Sequence, residues 1–197
     1  MTDTIETENI VYKKIISRRS LRKFKQKEIP VDILKKCVNA ARLAPSAANL
    51  QPLEFILINE KNICIKIFDA VSFAGYLKDW NPKPDEIPAA YIVILVKDKG
   101  DKWYKRDASF AAANITITAE GYDVGTCVLC KINREKIKKI LKIPEEIIVD
   151  SLVALGYKDE KAVVEELTNS VKYYRDEKNI LHVPKKRLEE IMHINKY

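Results

Sequence analysis

Apolar residues recur along the chain at two periods, and the switches between them mark out its elements. Ile10, Ile15 and Ile16 belong to a first helix ending near Ser17, with Thr7 or Asn9 as the cap that accepts from a first-turn amide. Leu34, Cys37, Val38 and Ala41 repeat at helical spacing after Pro30, and Pro45 stops that second helix. A loop from Pro45 to Pro52 follows. Glu54 to Ile58 is short and rich in strand formers, whereas Lys61 to Val71 returns to the helical period. Ala90 to Val96 is almost continuously apolar, which predicts a strand covered on both faces. Asp107 to Glu120 reads as a long buried helix, because Ala108, Ala111, Ala112, Ile115 and Ala119 leave small side chains along one side and permit close packing. Gly121 to Gly125 ends it. Arg134 to Leu141 predicts a short helix stopped before Pro144, and Ile147 to Leu155 a further buried strand ending at Gly156.

Two stretches lack such order. Between Ser72 and Pro88, prolines and charges surround Trp80, the pattern of a surface excursion or lid. Residues 158–197 alternate charges and aromatics without a strong period, as an arm docked on a partner subunit does, or a loosely ordered terminus. With no internal repeat and no low-complexity linker, residues 1–197 are expected to form one domain.

A hydrophobic content of 47% is enough to build a core, so disorder is not the expectation. The most apolar run, Ile87 to Val96, is only strand length, and the polar start Met1 to Asn9 lacks the order of a secretory signal; no membrane association and a cytoplasmic location follow as expectations. The net charge of +7 raises an anionic partner, yet Arg134 to Lys142 and Lys185 to Glu190 intersperse both signs as solvated helix faces do. Trp103 and Tyr104 among Lys102, Lys105 and Arg106 resemble a nucleic-acid patch, but no nucleic-acid module surrounds them, and a helix edge covering core accounts for them.

Candidate chemistry lies in two polar segments. Ser17 to Lys23 sets Arg18, Arg19 and Arg22 beside Ser17 and Ser20 where a helix gives way to irregular chain; guanidinium groups grip phosphate bidentately, although cations also suit any helix C-terminus. Ala44 to Pro52 places Ser46, Asn49 and Gln51 between two prolines, offering amide donors and acceptors on a restrained backbone. Cys127 and Cys130 form a Cys-x-x-Cys pair, open to reading as a redox dithiol, half a metal site or two apolar fillers; metal is not expected, because Cys37 and Cys64 are remote and unpaired.

Taken together, Ser17 to Arg22, Ala44 to Pro52, the alanine-rich helix, Gly121 to Cys130, Leu155 to Tyr157 and Lys185 to His193 resemble the nitroreductase family of FMN-dependent oxidoreductases. The resemblance implies an α+β three-layer sandwich, with a mostly antiparallel central sheet flanked by helices, and an interlocked homodimer sharing two FMN sites. It implies that Arg18, Arg19, Ser20 and Arg22 contact the phosphate, ribityl chain and pyrimidine edge of FMN. Pro45, Ser46, Ala47, Asn49 and Gln51 approach from the partner subunit, Val128, Leu129 and Cys130 flank the reactive flavin nitrogen, and Lys185 and Arg187 return near the phosphate. FMN then carries the chemistry without a catalytic side chain, passing hydride from NADH or NADPH to a nitroaromatic, quinone or related acceptor by a ping-pong mechanism. Leu53, where many relatives carry Trp, and the segment Ser72 to Pro88 depart from the pattern and leave the acceptor open. A flavin carrier without catalysis, and an anion binder using the surplus charge, stand as alternatives.

Overall fold

The computed structural model describes residues 9–77, 82–97 and 102–197. Its helices are α1 (Ile10–Ser17), α2 (Val31–Arg42), α3 (Lys61–Phe68), α4 (Tyr104–Gly121) and α5 (Arg134–Leu141). The strands are β1 (Phe24–Lys25), β2 (Leu53–Ile58), β3 (Ala90–Val96), β4 (Val124–Leu129), β5 (Ile148–Lys158), β6 (Ala162–Glu166), β7 (Tyr174–Arg175) and β8 (Leu181–Lys185). Asn9 caps α1 by accepting from the amides of Val11 and Tyr12. Thr7, the other candidate cap, and Trp80, at the centre of the expected lid, lie outside the described residues.

The central sheet is antiparallel at every junction. Strand β5 pairs with β4 along one edge and with β3 along the other, β2 extends the sheet beyond β3, and β1 pairs with the end of β5 at Tyr157 and Lys158. The alternation of β3 divides the core. Ile92 and Ile94 face Leu34, Cys37, Ala111 and Ile115 of α2 and α4, whereas Tyr91, Val93 and Leu95 face Cys64, Ile67 and Ile137 of α3 and α5. Two helical layers therefore sandwich one sheet, as the family resemblance implies.

Several boundaries differ from the sequence expectation. Helix α3 ends at Phe68 rather than Val71, since Val71 leaves the helix to bridge Ile132. Strand β5 runs past Gly156 to Lys158, because β4 and β1 supply ladder partners on both sides there. The sequence did not mark strand β4: Gly125 is a poor strand former near its start, and pairing with β5 decides the conformation there. The arm also carries structure, a three-stranded sheet in which β8 lies between parallel β6 and antiparallel β7.

Candidate functional site

Past α1 the chain turns extended at Arg18 and lies against β4: Ser20 bridges Thr126, and the Leu21 amide donates to the Thr126 carbonyl at 2.9 Å. Two glycines paired across the sheet, Gly125 and Gly156, make room for this approach. A Cβ on Gly125 would stand 2.8 Å from Leu21 Cδ1, and one on Gly156 only 2.6 Å from Phe24 Cβ. The basic residues are thereby set along β4. Arg19 reaches back to the Ile16 carbonyl (2.7 Å) and the Arg18 carbonyl, closing the end of α1. Burial, then the charge of Arg18, lowers its pKa, while Glu120 opposes that shift. Arg22 is buried, donates from Nη1 to the Ser20 carbonyl at 3.2 Å, and holds its guanidinium 4.3 Å from the Tyr173 ring centre.

Residues that the sequence did not single out complete this cluster. The Glu160 carboxylate, its side chain only 1% exposed, accepts from the Arg22 and Lys23 amides and pairs with Arg175. Among the described residues the buried Nε atoms of Arg19, Arg22 and Arg175 have no hydrogen-bond partner. Such orphaned cationic donors are costly unless an acceptor arrives, and a phosphate or the carbonyl edge of a flavin is an acceptor of the right kind.

The asparagine loop is built at the other end of α4. Ala47 to Asn49 form a single 3-10 turn, and Ala48 (φ 48°), Asn49 (φ 56°) and Gln51 (φ 51°) adopt the left-handed region. Asn tolerates that region; Ala and Gln each cost roughly 1 kcal/mol there. Polar contacts hold the turn: Ala47 N–H to Asp107 Oδ1 (3.1 Å), Gln51 N–H to Ser46 Oγ (3.1 Å) and Gln51 Nε2 to the Asn49 carbonyl (3.2 Å). Asp107 is 2% exposed, and its Oδ2 has no partner among the described residues. Two small cavities, of about 170 and 270 Å³, share Pro45, Ser46 and Asp107 as walls. Neither the turn nor Asp107 was legible beforehand, although an acid in the first turn of a helix, where it suits the dipole, is a usable signal.

At the far end of β4, Val128 is exposed, Leu129 is buried and Cys130 is exposed. The chain that follows α3 lies alongside, with the Ser72 amide donating to the Lys131 carbonyl at 3.0 Å. Cys127 is buried, its thiol pushed up to about 11 by burial, and Cys130 is free on the surface. Cys127 is thus the expected filler, but Cys130 is not. No group of three or more metal-ligating side chains occurs among the described residues.

Lys185 and Arg187 are exposed at the end of β8, where Arg187 Nε donates to Glu190 at 3.1 Å. His182 on the same strand is bracketed by Asp176 and Glu165, and His193 packs against Tyr197. Within one chain, the basic segment and the asparagine loop do not meet. Asp107 holds the loop while Arg19 lies in the field of Glu120, and these two acids stand about 20 Å apart along α4.

Comparison with known proteins bears on the family and the fold. The family model described as "Nitroreductase family" matches residues 15–157. The chain is 34% identical, over 76% of its length and 86% of the relative, to an Archaeoglobus fulgidus protein with the provisional name NADH dehydrogenase/NAD(P)H nitroreductase. In fold it is similar to an FMN-dependent nitroreductase of Clostridium difficile R20291 (TM-score 0.67, 24% identity, 93% of this chain and 98% of that one). It is also similar to a Bacteroides fragilis nitroreductase solved with bound FMN (TM-score 0.61, 23% identity, 82% and 95% covered). With the sandwich fold, the basic segment on β4 and the constrained Pro45–Gln51 turn all inside the matched span, the chain belongs to the nitroreductase family.

Proposed function

We propose that this chain is a homodimeric, cytoplasmic FMN oxidoreductase that takes hydride from NADH or NADPH and passes electrons to a nitroaromatic, quinone or related small acceptor. The observation that carries the reading is that, among the described residues, the buried Nε atoms of Arg19 and Arg22 in the segment along β4, and of Arg175 paired with Glu160, have no hydrogen-bond partner. When bound, FMN supplies the two-electron carrier. Arg18, Arg19 and Ser20 hold its phosphate and ribityl chain, with Lys185 and Arg187 returning near the phosphate. Arg22 offers positive charge to the pyrimidine edge, where the reduced flavin is negative, and so favours reduction. Val128, Leu129 and Cys130 present backbone beside the reactive nitrogen.

Pro45, Ser46, Ala47, Asn49 and Gln51 close the same site from a second copy, a reading that the separation along α4 supports. Exposed apolar side chains supply the contact surface. No residue of α1 is buried, and Ile10, Val11, Ile15 and Ile16 stand open, as do Leu188, Ile191, Met192 and Ile194 in the arm. Residues 1–197 act as one unit, with 158–197 as the arm and 72–88 as a lid or surface excursion. Nicotinamide and acceptor occupy one flavin face in turn, giving ping-pong kinetics. Among the described residues no helix is long and apolar enough to cross a membrane.

The test is spectral. The purified protein, or the apoprotein titrated with FMN, is expected to show a bound-flavin spectrum that bleaches anaerobically with NADH or NADPH. Replacing Arg18 and Arg22 together with Ala is expected to weaken FMN binding roughly 10- to 100-fold. A protein that ignores added FMN overturns the reading, and one that binds FMN but bleaches with neither donor is a carrier instead.

A further inference from the structure

Residues 158–197 lie beyond the span matched by the family, yet one of them touches the basic segment and the chain after α3 at once. The ring of Tyr173 lies under the Arg22 guanidinium, 4.3 Å from its carbon to the ring centre. Its other neighbour is Tyr76, packed edge-on at 61° with ring centres 5.1 Å apart. The Tyr173 hydroxyl oxygen accepts from the Tyr76 amide at 3.4 Å. Glu160 lies two residues beyond β5 and accepts from the backbone amide of the same arginine.

We propose that Tyr173 is a positioning residue for Arg22: its ring face sets where that cation stands at the flavin site and ties the arm to the segment after α3. The claim rests on the reading of Arg22 as a flavin contact. Its physical basis is the low number of polar anchors on that side chain. Among the described residues its guanidinium makes one hydrogen bond, to the Ser20 carbonyl at 3.2 Å, and Nε has no partner. One such bond leaves a guanidinium free to swing about it. A ring face attracts the cation without consuming its in-plane donors, so Tyr173 orients Arg22 while leaving Nε available to an acceptor. A carboxylate in the same place would orient it too, but would neutralise the charge and occupy the donors. Glu160 avoids that outcome by accepting from the Arg22 backbone and pairing with Arg175, not with the Arg22 guanidinium.

The experiment compares Tyr173→Leu, Tyr173→Phe and Arg22→Ala by FMN titration of the apoprotein and by the midpoint potential of the bound flavin. Leucine keeps apolar bulk against Tyr76 and removes the ring face; phenylalanine keeps the ring and loses only the hydroxyl. Tyr173→Leu is expected to weaken FMN binding about three- to tenfold and to lower the potential in the direction of Arg22→Ala, while Tyr173→Phe stays near the parent on both. Wild-type affinity and potential in Tyr173→Leu, with Arg22→Ala impaired, overturns the proposal. Equal impairment in Tyr173→Phe and Tyr173→Leu overturns it as well, because the hydroxyl and not the ring would then be responsible. If Arg22→Ala itself binds FMN unchanged, it is the placement of Arg22 at the flavin that fails.

Discussion

Single residues at this site are chosen as much for what they leave out as for what they supply. Gly125 and Gly156 offer no chemistry, but their missing side chains admit Leu21 and Phe24 against the sheet and so place Arg18 to Arg22 along β4. Gly156→Ala would push against the Cβ of Phe24, an atom whose position the backbone fixes and which cannot swing aside. Overpacking of that kind is expected to cost about 1–3 kcal/mol, read in thermal unfolding as a fall of roughly 2–10 °C, with FMN affinity falling too because Arg22 moves with Phe24. A stability loss without any change in FMN binding would separate the glycine pair from the site. Ala48 and Gln51 show the converse economy. Their left-handed backbone is tolerated because Asp107 and Ser46 hold the turn between them.

At the scale of elements, the small sheet of the arm contains a titrating unit. His182 on β8 has Asp176 at 3.2 Å from Nε2 and Glu165 at 2.9 Å from Nδ1, and its ring stacks on Tyr174 with centres 4.9 Å apart. The Tyr174 hydroxyl donates to the same Glu165 oxygen at 3.1 Å. Only the imidazolium donates from both nitrogens, so the hydrogen bonds to Asp176 and then to Glu165 raise the pKa of His182 above its ordinary value. The sign follows from linkage. A group whose folded pKa exceeds its unfolded one, about 6.5 for histidine, stabilises the fold fully below that unfolded value, and the contribution is lost as pH rises through the folded pKa. Amides of β6, β7 and β8 are therefore expected to exchange faster at pH 9 than at pH 6 after correction for intrinsic rates, and His182→Gln to flatten that dependence. An NMR titration midpoint for His182 at or below 6.5 would refute the assignment.

How much of this was legible follows the same scale. Ala90 to Val96 was readable as a strand because burial on both faces makes the whole run apolar, and α4 because its alanines repeat on one side. The strands of the arm were not readable, since a half-exposed sheet of mixed polar residues leaves no clean alternation. The arginines and the asparagine loop were visible as residue types in a known spacing. Glu160 and Tyr173 were not, because nothing local distinguishes a buried hub carboxylate, or a ring that orients a cation, from ordinary surface residues; Asp107 had only its place in the first turn of a helix to mark it.

For the whole molecule, the length of α4 governs how defects combine. Its two ends hold different halves of the proposed site, Asp107 with the Pro45–Gln51 turn at one and Arg19 near Glu120 at the other. A subunit disabled in its basic segment still carries an intact turn, and one disabled in its turn still carries intact arginines. Unfolding and refolding an equimolar mixture of Arg22→Ala and Asn49→Ala proteins should thus regenerate one sound site in every mixed dimer. Half of the dimers are mixed, each with one sound site of two, so about a quarter of all sites should regain the parent's FMN affinity although neither starting protein has it. A chain that completed its site alone would recover none; in the proposed dimer the long helix lets broken copies repair one another.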